Sequence, residues 1–251
     1  MDLEGKTALV TGGSGDIGGA IARALAQAGA DVAISYVGHK QGAAATIDAV
    51  RAAGKRSLAV QLDQCDPVSI DAAVDTVVGG LGRVDILVNN AAWNIGIPFS
   101  DLAALTADVW DRIMDTNLRG PYLLARAFAP HLRKHGSGRI VNIASVGGLY
   151  PRSSSIAYSA SKAGLIHLTR CLAVALAPDI SVNCVAPGLV EGTRMAQRLP
   201  DEVVQTARSQ AVLERVASAQ DIAAQVVTFC RADSVTGQVL VIDGGVPGAM
   251  H

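Results

Sequence analysis

The stretch TALVTGGSGDIGGAIARAL, Thr7 to Leu25, decides how the rest of the chain folds. It opens as a short apolar run with the composition of a strand. It then passes through glycines 12, 13, 15, 18 and 19 and ends in an Ala/Leu-rich segment of helical character. Gly13, Gly15 and Gly18 match G-x-G-x-x-G between a predicted strand and a predicted helix, the context the pattern requires. Glycines let such a turn bend tightly and bring its backbone close to a ligand. The helix that follows offers unpaired N–H groups and the positive end of its dipole, which suits a pyrophosphate.

Outward from this unit the same pattern repeats. Predicted strands run Thr7–Thr11, Asp31–Tyr36, Ser57–Leu62, Ile86–Asn89, Arg139–Ile143, Ser181–Val185 and Gln238–Ile242. Most are apolar throughout instead of alternating, as parallel strands covered on both faces are. Helical stretches at Gly18–Gly29, Gln41–Ala53, Ser69–Gly79, Ala107–Lys134, Ala157–Ala177 and Ala219–Arg231 lie between them. This alternation, joined by right-handed crossovers, predicts an α/β fold: a Rossmann-type doubly wound parallel sheet with helices on both faces. No linker, charge block or low-complexity segment divides the chain, so residues 1–251 read as a single domain. Gly188 to Ser218 holds no clear strand and follows a strand's carboxyl end, where open sheets bind ligands. Residues 189–217 are therefore expected to form a lid over the substrate.

Half of the 251 residues are hydrophobic, 17% are charged and only 4% aromatic, a globular composition with an Ala/Val/Leu/Ile core. A formal net charge of −1 argues against a general nucleic-acid binder or an anionic-membrane binder, both of which need a basic surface. No apolar run reaches membrane-spanning length. The start, MDLEGKTALVTGG, lacks the basic residues and long apolar stretch of a signal peptide. Cys65, Cys171, Cys184 and Cys230 are widely spaced and the five histidines are scattered, so neither a metal centre nor a disulfide framework is expected. A cytoplasmic setting fits these features.

A second short stretch, YSASK at Tyr158 to Lys162, sets a phenol and an ammonium one helical turn apart. A free phenol titrates near ~10, too high for an acid/base at neutral pH. A lysine one turn away favours the phenolate and is expected to pull that value down. Ser145, at a strand end, can donate a hydrogen bond to a substrate oxygen as charge develops there. Taken singly, each residue has a plainer reading: surface positions on a helix for Tyr158 and Lys162, turn or cap residues for Ser145 and Asn117. The G-x-S-x-G elbow of nucleophilic hydrolases is absent.

Other segments join these in order: TGGSGDIG at Thr11–Gly18, LD ending at Asp63, NNAA at Asn89–Ala92 and DTNLRG around Asn117. IVNIAS ends at Ser145; VNCVAPG runs from Val182 to Gly188, and TGQVLVIDGG from Thr236 to Gly245. With these motifs, over essentially its whole length, the chain resembles the short-chain dehydrogenase/reductase family. The resemblance implies a catalytic set of Asn117, Ser145, Tyr158 and Lys162. Tyr158 would exchange the substrate's hydroxyl proton while hydride moves to or from a nicotinamide. Lys162 would also grip the nicotinamide ribose, and the counterpart of Asn117 holds a water linking the lysine to solvent.

For the cofactor, the resemblance places Gly12, Ser14, Asp16, Ile17 and Gly18 at the pyrophosphate, Tyr36 at the end of the second strand and Asp63 at the adenine. Asn89 and Ala91 would border the adenosine ribose, Pro187, Gly188 and Val190 the nicotinamide, and Thr193 its carboxamide or the phosphates. The chain departs from the family at Ala92, usually glycine, and in the loop PGLVEGT, one residue longer than in many relatives. It departs further at Asp16, where the family has glycine. A carboxylate beside a pyrophosphate is repelled, so Asp16 is expected to face away, capping or pairing with an arginine. No acid ends the second strand to hold a ribose 2′-hydroxyl, and His39 and Lys40 follow Tyr36. Against them, Gly15 stands where many NADP-preferring relatives carry a base. NADP is expected slightly ahead of NAD.

The substrate pocket is expected from Trp93, Asn94, Val146, Gly147, Tyr150, Arg152, Ile156, Leu189 and the lid. Trp93 and Tyr150 could stack on a ring or sugar face, and Arg152 could hold a carboxylate or phosphate. Among the family's groups, 3-oxoacyl-carrier-protein reductases and sugar or secondary-alcohol dehydrogenases look nearest. Arg133 and Lys134 would suit an acidic carrier, but Val174 and Asp179 stand where a second base is wanted. The expected partner is therefore a small-molecule alcohol or ketone, such as a polyol, sugar or cyclic alcohol, with 3-oxoacyl thioester reduction as the alternative. A catalytically silent cofactor-binding regulator is the alternative of another class; the retained catalytic set speaks against it. Relatives are commonly homotetramers joined through the long helices, and apolar faces on Ala107–Lys134 and Ala157–Ala177 agree with that.

Overall fold

A computed structural model describes residues 1–151 and 153–247. Seven parallel strands form one sheet: β1 (Thr7–Val10), β2 (Asp31–Tyr36), β3 (Ser57–Gln61), β4 (Ile86–Asn89), β5 (Gly138–Ile143), β6 (Ile180–Pro187) and β7 (Val239–Ile242). Their order is β3-β2-β1-β4-β5-β6-β7. Eight α-helices accompany them among the described residues: α1 (Asp16–Gln27), α2 (Lys40–Ala52), α3 (Pro67–Leu81), α4 (Ala107–Met114), α5 (Gly120–Arg133), α6 (Ile156–Ala175), α7 (Asp201–Gln210) and α8 (Ala219–Arg231). The doubly wound α/β sheet expected from the sequence is the fold found.

Successive residues of a strand point to opposite faces, and here both faces are dry. In β1, Ala8 and Val10 join a core with α1, α2 and α8, while Leu9 joins a second core with α3, α5 and α6. That division explains why the strands read as unbroken apolar runs. From β1 the chain winds outward through β2 to β3, then returns to lay β4 on the other side of β1. The connections after β1 and β4 therefore diverge, and a crevice opens between their carboxyl ends. The buried Thr11 ties its two walls together. Its hydroxyl donates to the Val88 carbonyl at 3.3 Å and accepts from the N–H groups of Asn90 and Ala91 at 2.9 and 3.0 Å.

Two elements differ from expectation. The predicted helix Ala107–Lys134 is interrupted by a π-helical turn at Asp115–Arg119. The α-helical partner of the Asn117 carbonyl would be the N–H of residue 121, and Pro121 has none to give. The stretch Gly188 to Ser218, expected to hold no clear strand, contains a short 3-10 turn (Ala196–Arg198) and α7. No residue of α7 is buried, so it has no apolar stripe for periodicity to reveal.

Phe128, on α5, is wholly buried in the second core. Phe128→Ala is expected to lower unfolding stability by about 3–5 kcal/mol, measured by urea denaturation, through lost burial and the cavity left behind.

Candidate active site

At the carboxyl end of β5 the chain turns through Ser145, which caps the 3-10 turn Val146–Gly148 by accepting from the Gly147 N–H at 3.1 Å. Ser155 caps α6 in the same way, accepting from the Tyr158 N–H at 3.2 Å, which fixes Tyr158 in the first turn of the helix. One turn on, Lys162 is 2% exposed, and its Nζ donates to the Ile143 carbonyl at 2.8 Å. The ammonium lies 5.6 Å from the centre of the Tyr158 ring. Ser145, Tyr158 and Lys162 all face one cleft.

Burial dominates the electrostatics. It pushes the Tyr158 phenol up to about 12, against a hydrogen bond from Ser145 that favours the phenolate. It brings the Lys162 ammonium down to about 8, with Cys184 close enough to act the other way. The expected depression of the phenol by its lysine is thus absent from this geometry. The ammonium points at a backbone carbonyl, and desolvation of the phenol is the larger effect.

The other wall begins with α1, whose N-terminus at Asp16 is preceded by Gly15 and receives no side-chain cap. Its first N–H groups therefore have no partner within the helix and lie at the crevice. Close backbone packing shapes the wall. A Cβ on Gly18 would run into the Gly12 carbonyl oxygen, and one on Gly12, at φ +65°, would lie 3.0 Å from the Ala91 Cα. An uncapped helix start beside close-packed glycine backbone, with the Asp16 carboxylate turned to the Arg194 N–H, fits the diphosphate of a dinucleotide. The cleft has a volume of about 2250 Å³, enough for a dinucleotide and a small substrate together.

Of the residues expected at the cofactor, Gly12, Ser14, Asp16, Ile17 and Gly18 line this cleft, with Tyr36, Asp63 and Ala91 on the same side. Pro187, Gly188, Val190 and Thr193 line the side nearer Tyr158 and Lys162 in sequence order of the strands. Among the expected substrate contacts, Trp93, Asn94, Val146, Tyr150 and Leu189 face the cleft, whereas Gly147 and Ile156 do not. Arg152 lies outside the described residues.

Three of the expected residues spend their side chains on the protein itself. The Asn89 side chain does not face the cleft; it is buried between strands, with Nδ2 donating to Asn142 Oδ1 at 2.8 Å. Its neighbour Asn90 takes the crevice position and donates to the Thr11 carbonyl at 2.9 Å. Asn117 is wholly buried and also absent from the cleft wall. Its side chain exchanges two hydrogen bonds with the Trp93 backbone, at 2.8 and 2.9 Å, and donates to Ser161 Oγ at 3.2 Å. It positions the Trp93 loop. Thr193 has its hydroxyl committed, donating to the Val190 carbonyl at 2.8 Å and accepting from the Ala196 N–H at 3.2 Å.

Several cleft residues carry little or no signal in the sequence. Gln64 donates from Nε2 to the Thr116 carbonyl at 2.6 Å, joining the β3 and β4 sides; it adjoins Asp63, which was its only signal. Arg112 stacks on the Trp93 ring at 4.1 Å. The Tyr150 hydroxyl meets Asp243 Oδ2 at 3.5 Å, and the phenol is pushed up to about 12 by burial first and this carboxylate second. Asp16 does turn to an arginine, Arg194, whose backbone N–H it accepts at 2.8 Å. At a sequence separation of 178, nothing local marked that partner.

A dinucleotide-shaped crevice at the switch point of a doubly wound sheet, ending at a serine, a tyrosine and a lysine, defines an oxidoreductase site. The model of the short chain dehydrogenase family matches residues 6–204, and the chain belongs to that family. It is 38% identical over 251 residues to the 3-oxoacyl-acyl-carrier-protein reductase FabG of Thermotoga maritima, covering 98% of this chain and 99% of that one. The structure of a short chain dehydrogenase from Burkholderia cenocepacia in complex with NADP superimposes with a TM-score of 0.89 at 39% identity, over 98% and 99% of the two chains. An NAD+-bound xylitol dehydrogenase superimposes with a TM-score of 0.91 at 28% identity, over 98% and 100%.

Lys162 also sets a pH dependence. Its folded value of about 8 lies below the ordinary 10.5, so between these the unfolded chain binds the extra proton and stability rises with pH. Lys162→Met removes this term. Across that window the wild type should gain stability relative to the variant, by up to about 1.4 kcal/mol per pH unit in denaturant titrations.

Proposed function

We propose that this short-chain dehydrogenase interconverts a secondary alcohol and its ketone with NADP or NAD as the hydride carrier. The observation that carries the reading is the meeting of Ser145, Tyr158 and Lys162 in the cleft that begins at the uncapped start of α1. A nicotinamide dinucleotide held there would supply or accept the hydride. The N–H groups at the start of α1 would hold its diphosphate, and the walls at Tyr36, Asp63 and Ala91 would receive its adenosine. Ser145 donates a hydrogen bond to the substrate oxygen and restrains its charge. Tyr158 delivers or removes the proton at that oxygen. Lys162, fixed by the Ile143 carbonyl, keeps a positive charge beside the phenol, and Asn117 holds the Trp93 loop in place. The segment 189–217 serves as the lid, contributing Arg194, Met195 and Arg198 to the cleft wall.

For the substrate, a small polyol, sugar or cyclic alcohol is the better reading. Tyr150 with Asp243, and Ser154 with Asn94, form hydrogen-bonding walls, and the Trp93 ring offers an apolar face. The likeness to a xylitol dehydrogenase supports it. Likeness to FabG supports the alternative, a 3-oxoacyl thioester on an acidic carrier. Arg133, however, lies 3.6 Å from Asp179, and the second helix presents Val174, 82% exposed, in place of a base. NAD(P)H absorbance with polyols, cyclic ketones and a carrier-bound 3-oxoacyl thioester tests both. Turnover is expected on the first two groups. Tyr158→Phe should lose about 10²–10⁴-fold in kcat while still binding dinucleotide; equal rates in the two proteins would remove Tyr158 from the chemistry.

The protein is further proposed to act in the cytoplasm as a homotetramer. An apolar groove of about 440 Å³ runs between the α4–α5 arm and α6, lined by Leu118, Tyr122 and Leu168 among others. Tyr122 is 44% exposed there, a large side chain suited to contact a second copy. Light scattering should find a tetramer, and Tyr122→Arg should yield a smaller species with its circular dichroism unchanged.

A further inference from the structure

Asp16 puts a carboxylate at a helix start built for an anion, so what it holds there matters. Its Oδ2 accepts the Arg194 backbone N–H at 2.8 Å and lies 3.5 Å from Arg194 Nε. These contacts leave Nη1 and Nη2 of the guanidinium over the glycine-rich turn. Nη2 lies 3.8 Å from where a Cβ on Gly15 would stand, in space that a side chain at that position would contest. Nη1 lies 3.5 Å from His39 Nδ1, which is itself 2.9 Å from the Ser14 carbonyl oxygen. His39 Nδ1 thus stands between a carbonyl that only accepts and a guanidinium that only donates, and it can serve one of them at a time. Among the described residues no carboxylate or carbonyl oxygen accepts from the Nη pair, and Nη2 has no hydrogen-bond acceptor.

This unmatched fork lies beside the end of β2, in the cleft wall formed by Ser14, Gly15, Tyr36, Gly38 and His39. In a doubly wound sheet the adenosine ribose is read there: a carboxylate takes its 2′-hydroxyl, a cation its 2′-phosphate. Tyr36, Val37 and Gly38 supply no carboxylate. We propose that Arg194 is the cation that recognises the 2′-phosphate of NADP(H), and that Asp16 is the positioning residue that holds its guanidinium in place. The inference rests on the dinucleotide reading of the cleft. The cation comes from the lid, so choice of cofactor and closure of the lid are one event: a bound 2′-phosphate holds residues 189–217 down. The carboxylate at the helix start is offset by the same arginine.

Calorimetric binding of NADP+ and NAD+ to the full chain tests this, beside limited trypsin digestion at Arg198, an exposed lid residue. Wild type should bind NADP+ more tightly. Arg194→Ala should weaken NADP+ by about 10–100-fold and NAD+ by less than about 3-fold, with Arg194→Lys recovering part of the loss. NADP+ should slow cleavage at Arg198 more than NAD+ does, and this difference should vanish in Arg194→Ala. Asp16→Asn should weaken NADP+ by about 3–10-fold and speed the cleavage. NAD+ binding by each variant shows that it is folded. Equal weakening of both dinucleotides would move the guanidinium to the diphosphate and overturn the proposal, as would no change in either. Equal affinities in wild type would overturn it while leaving the dinucleotide reading intact; a wild type that binds neither would overturn both.

Discussion

The glycine-rich turn and the loop after β4 pack backbone against backbone, and the site depends on that contact. Gly12 lies against Ala91, Gly18 faces both the Gly12 carbonyl and the Asn90 amide, and Thr11 bonds across the seam with both lobes of its hydroxyl oxygen. A methyl group at either glycine would force the walls apart. Because the two crossovers leave the sheet in opposite directions, this seam is also the floor of the only kind of crevice such a sheet makes. The position of α1, the width of the cleft and the reach from the helix start to Tyr158 all follow from it.

A second constraint opposes the first in kind. Packing rewards apolar contact, yet the floor near β5 holds an ammonium that is almost wholly enclosed. One carbonyl and a neighbouring thiol are its surroundings, and burial draws its proton affinity down. Burial also draws the phenol in the other direction, so the two groups sit far from their solution behaviour before any substrate arrives. Such pairs of displaced titrations mark places where folding has been subordinated to chemistry.

The fold was legible because its signals are local. Unbroken apolar strands, Ala-rich helices and a glycine turn repeat along the chain, and each boundary was found to within a few residues. The meeting of Ser145, Tyr158 and Lys162 was legible for the same reason: a helical turn links Tyr158 to Lys162, and Ser145 ends a strand. What failed was whatever depends on a distant partner or on side-chain direction. Asn89 and Asn90 are adjacent, and strand pleat alone decides which one enters the crevice. The helix through Asn117 reads as continuous until Pro121 is counted against the carbonyl four residues before it. Helix α7 has no buried face, hence no periodicity to read. Asp16 and Arg194 meet only after the whole sheet has been built between them.

The π-helical turn at Asp115–Arg119 has a consequence for how this chain tolerates length changes. A π turn accommodates one more residue than the α-helical turn it replaces. Each residue of an α-helix advances the direction of its side chains by about 100°. Removing one residue from this turn would therefore swing Leu124 and Phe128 off the sheet and draw Asn117 away from the loop it pins, while Pro121 would still deny the straightened turn a hydrogen bond. The irregular turn thus sets the rotational phase between two helical halves, one facing the cleft and the other the core, and a single-residue deletion would uncouple them.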